Sequence, residues 1–171
     1  MARDLGDPTP PGPVTKRNPS NDFEQFVLDV EPRLRRALVA AHGPQVGREA
    51  TVDALAWAWS HWGRIKPMIN PVGYLYRVGR TKAREARLST ATEPVHELPS
   101  TDRLPWVEPG LEPALWSLTE HQRVAVVLCH GFQWTHQEVA ELLELSRSTV
   151  QNHVERGLAH LRRALEVDTD D

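Results

Sequence analysis

Proline divides this chain before any other signal is weighed. Of its 14 prolines, five fall in residues 1–20 (Pro8, Pro10, Pro11, Pro13, Pro19) and five in residues 89–113 (Pro94, Pro99, Pro105, Pro109, Pro113). Proline removes a backbone donor and clashes with the preceding helical turn, so the first stretch cannot hold a helix or a ladder. Residues 1–20, which also carry Gly6 and Gly12, read as a disordered extension with little to bury. Residues 89–113 read as an extended, semi-rigid linker. Regular structure is thereby confined to two blocks.

Both blocks read as helical. In residues 21–88, Asn21 with Glu24 resembles a capping pair. Phe23, Phe26, Val27 and Val30 follow at helical spacing. Pro32 is expected to start or kink the next piece, which carries Leu34, Ala37, Leu38 and Ala41 until Gly43-Pro44 stops it. A second helix, rich in alanine, is expected from about Val46 to Trp62, and residues 63–70 as a loop. Asn70 with Pro71 marks the start of a third helix that runs to about Leu88. In residues 114–166, Thr119 with Gln122 and Thr135 with Glu138 form two capping boxes, with Gly131 suited to a helix end between them. Ser146 caps a last helix in which Val150, Val154, Leu158, Leu161 and Leu165 make one apolar stripe. The acidic tail, residues 167–171, reads as frayed. No run of four or more residues alternates as a strand would. The expectation is an all-α chain: a three-helix module and a four-helix module, each with its own core, since the linker is too poor in apolar residues to fuse them.

The overall charge of −3 hides a segregation. Residues 64–87 carry Arg64, Lys66, Arg77, Arg80, Lys82, Arg84 and Arg87 against Glu85, a net of +6. Residues 92–121 have a net of −5 and residues 147–163 a net of +3. Two basic helices flanking an acidic tether point to a polyanion that the total charge alone would not suggest.

Residues 135–161 carry the strongest constellation. A capped helix ends at Leu143, a short turn follows through Glu144, Leu145 and Ser146, and a second helix begins. Val139, Leu142 and Leu145 can pack on Val150 and Val154. This is the helix-turn-helix pattern, whose second helix enters a major groove by its N-terminal residues. Helical geometry puts Ser148, Thr149, Asn152, Glu155 and Arg156 opposite the stripe, with Gln151 at the flank and Arg147 at the entry. Amides such as Gln151 and Asn152 can read adenine, and Arg156 guanine or a phosphate. The bland alternative is a helical hairpin with a solvated polar face; cap, turn, stripe and basic excess together favour DNA. The other constellation is the stripe Arg77, Arg80, Arg84 and Arg87, spaced 3, 4 and 3. With Tyr74, Tyr76, Trp59 and Trp62 nearby, it can neutralise phosphates and stack unpaired bases. Trp57 and Trp59, set among alanines, suit a core instead.

Other chemistry finds little support. Cys129 is the single cysteine, so there is no disulfide framework and no four-cysteine zinc site. It sits beside an apolar run, as a buried inert thiol would. The eight histidines form no metal-binding motif, and no phosphate loop or nucleophile elbow occurs. No cofactor, metal or catalysis is expected. No apolar run approaches the roughly 20 residues of a membrane span, and residues 1–13 lack the apolar core of a secretion signal. A cytoplasmic protein is expected.

At this point the residues resemble a known family, the extracytoplasmic-function (group IV) sigma factors of bacterial RNA polymerase. LTEHQRVAVVL, GFQWTHQEVAELL and LSRSTVQNHVERGLAHLRRAL are similar to that family's region 4. DALAWAW and GYLYRVGR are similar to its region 2. The resemblance covers roughly residues 22–165, and its two modules appear in family order around a Pro-rich acidic linker. It departs at Ser148, where glycine is frequent, at Gln151 and Glu155, at Thr81, where asparagine is frequent, and at Gly73-Tyr74. Trp134 has no counterpart that explains it.

The resemblance implies a promoter-recognition subunit without enzymatic activity. Residues 46–62, with Glu49, Asp53, Leu55 and Trp59, would dock on the clamp helices of the polymerase's largest subunit, and region 4 on the flap of the second-largest. Arg64, Lys66, Asn70, Tyr74, Arg77, Arg80, Thr81, Arg84 and Arg87 would bind and melt the −10 element, with a flipped base held by residues 63–70. The linker would thread into channels that otherwise hold nucleic acid. Arg147, Ser148, Thr149, Gln151, Asn152, Glu155 and Arg156 would read the −35 element. An anti-sigma protein is a further partner class the resemblance admits. The alternative is a stand-alone helix-turn-helix regulator, which gives residues 46–88 no task. An enzyme or pure interaction module lacks a catalytic constellation.

Overall fold

The computed structural model describes residues 19–90 and 110–167. The extension before residue 19, the linker over 91–109 and the tail from 168 lie outside those residues, as do the expectations made for them. Eight α-helices form among the described residues: α1 (Pro19–His42), α2 (Pro44–Ser60), α3 (Trp62–Ile65), α4 (Pro71–Thr90), α5 (Leu111–Ser117), α6 (Glu120–Val126), α7 (His136–Leu143) and α8 (Arg147–Val167). A π-turn, Val127–Gly131, follows α6 without a break. No strand occurs among these residues.

Several boundaries differ from expectation. Helix α1 is continuous through Pro32. The proline deletes one rung, to the carbonyl of Leu28, and Leu28 is 70% exposed, so water can satisfy that carbonyl. The buried stripe Val30, Leu34, Ala37, Leu38 and Ala41 continues across the proline and outweighs the lost bond. Because α1 begins at Pro19, Asn21 lies inside its first turn rather than capping it. Residues 63–70 are not wholly loop either, since α3 occupies their start. In the second half α5 starts at Leu111 and takes in Pro113, the last proline of the stretch read as linker, in its first turn; the caps follow expectation. Both capping boxes are formed, Thr119 with Gln122 and Thr135 with Glu138. Asn70 Oδ1 accepts from Gly73 N at 2.9 Å and caps α4. Ser146 Oγ accepts from Thr149 N at 3.1 Å and caps α8.

Small residues set the packing of the first block. Gly47, Ala50, Thr51, Ala54 and Ala58 form the buried face of α2, so its backbone can approach α1. At Gly47 the approach is closest: a Cβ there would stand 2.5 Å from the Val39 backbone. Gly43 ends α1 with φ +91°, a left-handed conformation suited to glycine.

The expectation of two separate cores does not hold. One continuous apolar cluster joins Leu34, Leu38, Leu75 and Tyr76 of the first block to Val124, Leu128, Trp134, Val139 and Val150 of the second. A smaller cluster of Ala114, Leu118, Val126 and Leu161 holds α5 to α8. The blocks fuse through their helices, not through the linker. The π-turn and the bend after it deliver Trp134 into the joint, where its N–H bonds Leu128 O at 3.0 Å and Arg33 lies 4.8 Å over its ring. That gives Trp134 a place the sequence could not supply.

Candidate nucleic-acid interface

The hairpin α7–α8 is built as its sequence requires. Helix α7 stops at Glu144, which adopts a left-handed φ of 55°. Leu145 N then bonds Ala140 O at 3.0 Å. Val139, Leu142, Val150 and Val154 are buried between the two helices, so the opposite face of α8 is fixed toward solvent. Arg147, Ser148, Gln151, Asn152, Glu155 and Arg156 are all exposed on its first turns. Thr149 is half-buried, and its Oγ1 lies 2.7 Å from Ser146 Oγ within the cap. Gln151, at the flank of the stripe, is exposed, and its Nε2 donates to Glu155 Oε1 at 2.9 Å. Two departures from the family pattern therefore form one unit, in which Glu155 holds the Gln151 amide in a defined orientation. Behind this face His153 meets His121 edge-on, ring centroids 5.5 Å apart. Burial, with the neighbouring His121 and Arg156, holds the His153 pKa below its ordinary value.

The basic stripe on α4 is less free than its sequence suggests. Arg77 pairs with Glu144 at 3.0 Å and lies 5.3 Å over Tyr74. Arg80 Nε lies 2.6 Å from Glu120 Oε1, an ion pair whose N–H is not aligned as a hydrogen bond. Arg87 donates to the carbonyl of His42 at 3.2 Å. Arg84 is exposed. The carboxylates come from the second block. Tyr76 is 1% exposed with its hydroxyl on Glu120 at 3.4 Å, and burial first, then Glu120, raises its pKa; it cannot stack a base. Tyr74 is half-buried against Trp57, 5.5 Å between rings. Thr81 is exposed and its hydroxyl donates to Arg77 O at 3.1 Å. Arg64 is exposed, Lys66 pairs with Asp22 at 2.6 Å, and Asn70 spends its amide on Glu141 O at 2.7 Å.

On α2, Glu49 and Asp53 are exposed and Leu55 is half-buried. Trp59 is 52% exposed, so the core reading fails for it. Its ring stands edge-on to Phe23 at 4.9 Å and closes a cluster with Phe26 and Trp62. Trp57, half-buried, stacks on His61 at 4.0 Å. Cys129 is half-buried, and burial followed by the charge of Glu138 raises its thiol pKa. Among the described residues no group of three potential metal ligands gathers, and no helix is long and apolar enough to cross a membrane.

Sequence reasoning passed over Arg123. It is 9% exposed, and among the described residues it forms no ion pair. Its Nε and Nη2 donate to Ala40 O at 3.0 Å and Ala41 O at 2.7 Å, and its Nη1 donates to Leu118 O at 3.0 Å. Trp116 covers its face at 4.3 Å. Ala40 and Ala41 lie in the last turn of α1, where carbonyls lack intrahelical donors and favour a cation. Arg123 thus binds the first block's longest helix from the second. The one available signal was an arginine directly preceding the apolar run VAVVL.

Residues 111–161 match the family model for Sigma-70, region 4. No curated protein matches the sequence. Among solved structures, the fold is similar to that of the sigma factor RpoE in its complex with the anti-sigma factor NepR from Bartonella quintana. The TM-score is 0.58 at 22% identity, over 86% of this chain and 98% of that one. Residues 111–161 are thus similar to a sigma-70 region 4, and the described residues share the helical fold of that solved structure.

Proposed function

We infer that this chain is an alternative sigma factor of the extracytoplasmic-function family, which binds core RNA polymerase and directs promoter-specific transcription initiation. The observation that carries this reading is the pairing of two DNA-suited helices in one chain. Helix α8 presents a polar, basic face in region 4, and α4 presents an arginine stripe in the block before it. A stand-alone regulator needs only the first.

In the proposed mechanism α8 enters the major groove of the −35 element. Asn152 and the oriented Gln151 amide are placed for adenine edges, and Arg156 for guanine or phosphate. Arg147 and the cap of α8 face the backbone, where helix N-terminal amides favour phosphates. Arg84 and the rest of the α4 stripe, with Arg64, Lys66 and Tyr74, serve the −10 element and its unpaired strand. The exposed part of α2, with Glu49, Asp53, Leu55 and Trp59, serves the clamp helices of the largest polymerase subunit, and region 4 the flap of the second-largest. An anti-sigma protein is a further partner of the kind the neighbouring complex contains. The protein works by binding alone, without a cofactor, in the cytoplasm with the polymerase. Two weak DNA readers on one chain gain affinity only when polymerase engages both at once.

Gel shift with and without core polymerase tests this. The reading predicts weak, salt-sensitive duplex binding by the chain alone and specific promoter binding only with polymerase. Tight, sequence-specific duplex binding by the chain alone would favour the regulator.

A further inference from the structure

We propose that the proline-rich segment over residues 8–13 folds back onto an aromatic shelf of its own chain and docks there as a polyproline II helix. The inference concerns the free chain and stands apart from the assignment of Trp59 to polymerase. The shelf is made by Phe23 and Phe26 on α1, Trp59 on α2 and Trp62 at the start of α3. Phe23 meets Trp59 edge-on at 4.9 Å and Trp62 at 5.1 Å, and Phe26 lies 4.9 Å from Trp62. None of these four side chains is buried, and Trp59 is 52% exposed. Phe23, Phe26 and Trp62 nevertheless pack against the core, which holds the shelf in place. Lys66 Nζ meets Asp22 Oδ2 at 2.6 Å and ties the first turn of α1 to the end of α3.

Aromatic-lined surfaces take proline-rich strands because the polyproline II helix is formed before it binds and loses little entropy. This chain carries such a strand beside the shelf: PTPPGP, residues 8–13. With three residues per turn, Pro8 and Pro11 share one edge, Pro10 and Pro13 the next, and Thr9 and Gly12 the third. Two adjacent proline edges face the rings, and the segment has no charged side chain to desolvate there. Attachment favours this occupant over a separate molecule. Six peptide steps join Pro13 to Pro19, where α1 begins, and they span up to about 19 Å when extended. Phe23 and Phe26 lie only about 6 and 10 Å along α1 from its start. The segment therefore reaches the shelf, and a short tether gives it an effective concentration on the order of millimolar. Docking covers apolar rings that would otherwise face water.

The test is nuclear magnetic resonance of the nitrogen-15-labelled full-length chain, read at the indole N–H peaks, which Trp59→Phe, Trp62→Phe and Trp116→Phe assign. A nitroxide is attached to the thiol introduced by Gly12→Cys, on the edge that carries no proline. Wild type treated alike reports any label taken up by Cys129. The Trp59 and Trp62 peaks should lose about half their intensity or more, since a millimolar contact at millimolar effective concentration is about half occupied. Trp116 should keep its intensity, because it sits beside Gly43 at the far end of α1, about 30 Å from Phe23 along the helix. Pro8→Ala, Pro10→Ala, Pro11→Ala and Pro13→Ala together should restore the lost intensity. Without any nitroxide, the same four substitutions should move the Trp59 and Trp62 peaks and leave Trp116 in place. Full intensity at Trp59 and Trp62, an equal loss at Trp116, a loss that survives removal of the prolines, or coincident spectra without the label would each overturn the proposal. In a mixture of nitroxide-bearing chain without nitrogen-15 and labelled wild type, no loss is expected; a loss there would mean that a second copy occupies the shelf, and docking within one chain would be wrong.

Discussion

Replacing Arg123 with methionine should destabilise both blocks together. The side chain makes three hydrogen bonds to Ala40 O, Ala41 O and Leu118 O. Hydrogen bonds to a charged group contribute about 1.5–3 kcal/mol each, and three on one guanidinium do not add fully. Against them stands the desolvation of a buried cation, which lowers the Arg123 pKa and which methionine would relieve. Methionine also leaves three carbonyls with poorer access to water, each costing about 1–3 kcal/mol if unsatisfied. The balance is a loss of about 3–5 kcal/mol, the range found when a buried charge network is broken. Domains of this size have only about 5–15 kcal/mol of stability. Urea unfolding followed by far-ultraviolet circular dichroism measures it. Tryptophan fluorescence should report the same midpoint, because Trp57, Trp59 and Trp62 lie in the first block and Trp116 and Trp134 in the second. Arg123→Lys, which keeps the charge but cannot span three acceptors, should lose about half as much. A loss below about 1 kcal/mol, or separate transitions for the two blocks in the wild type, would refute the account of a shared core clamped by Arg123.

Three further outcomes follow from the same geometry. His42 is buried, and among the described residues its Nε2 meets no hydrogen-bond partner; burial brings its pKa down to about 4. The unfolded chain therefore takes up a proton near pH 6.5 that the folded chain refuses. Stability should be full above that pH and fall by about 2 kcal/mol on going to pH 5. A His42→Gln variant whose urea midpoint shows the same pH slope would show that another group is responsible. Gly47→Ala gains up to about 1 kcal/mol in helix propensity but places its Cβ 2.5 Å from the Val39 backbone. A net loss of at least about 2 kcal/mol in thermal unfolding is expected, and an unchanged or raised melting temperature would contradict the close approach of α1 and α2. Asn152→Ala and Arg156→Ala should each remove about 1–3 kcal/mol of sequence discrimination. Footprints of holoenzyme should lose upstream protection while polymerase binding persists; intact protection in both would mean that another face of α8 meets DNA.

Local signals were legible in the sequence, and contacts between distant residues were not. Both capping boxes, the Asn70 and Ser146 caps and the α7–α8 turn were readable because each is complete within a few residues. The apolar stripe of α8 fixed which side chains face solvent, and that face is the one observed. Pro32 starts no new helix, because its cost depends on whether the orphaned Leu28 carbonyl meets water, a property of the folded surface. The arginine stripe was visible as a pattern, yet its partners Glu120 and Glu144 lie 40 and 67 positions further along. The same holds for Arg123, 83 positions from Ala40, and for Tyr76, whose hydroxyl meets Glu120 44 positions further along. Separate cores were inferred from the linker's composition, whereas fusion depends on the helices on either side of it.

Run-off transcription with core RNA polymerase and promoter fragments from the source genome tests the central claim most directly. Discrete transcripts should appear only when the chain is added, and should weaken with Asn152→Ala or Arg156→Ala. Absence of any chain-dependent transcript, with core polymerase active on a control sigma factor, would contradict the assignment.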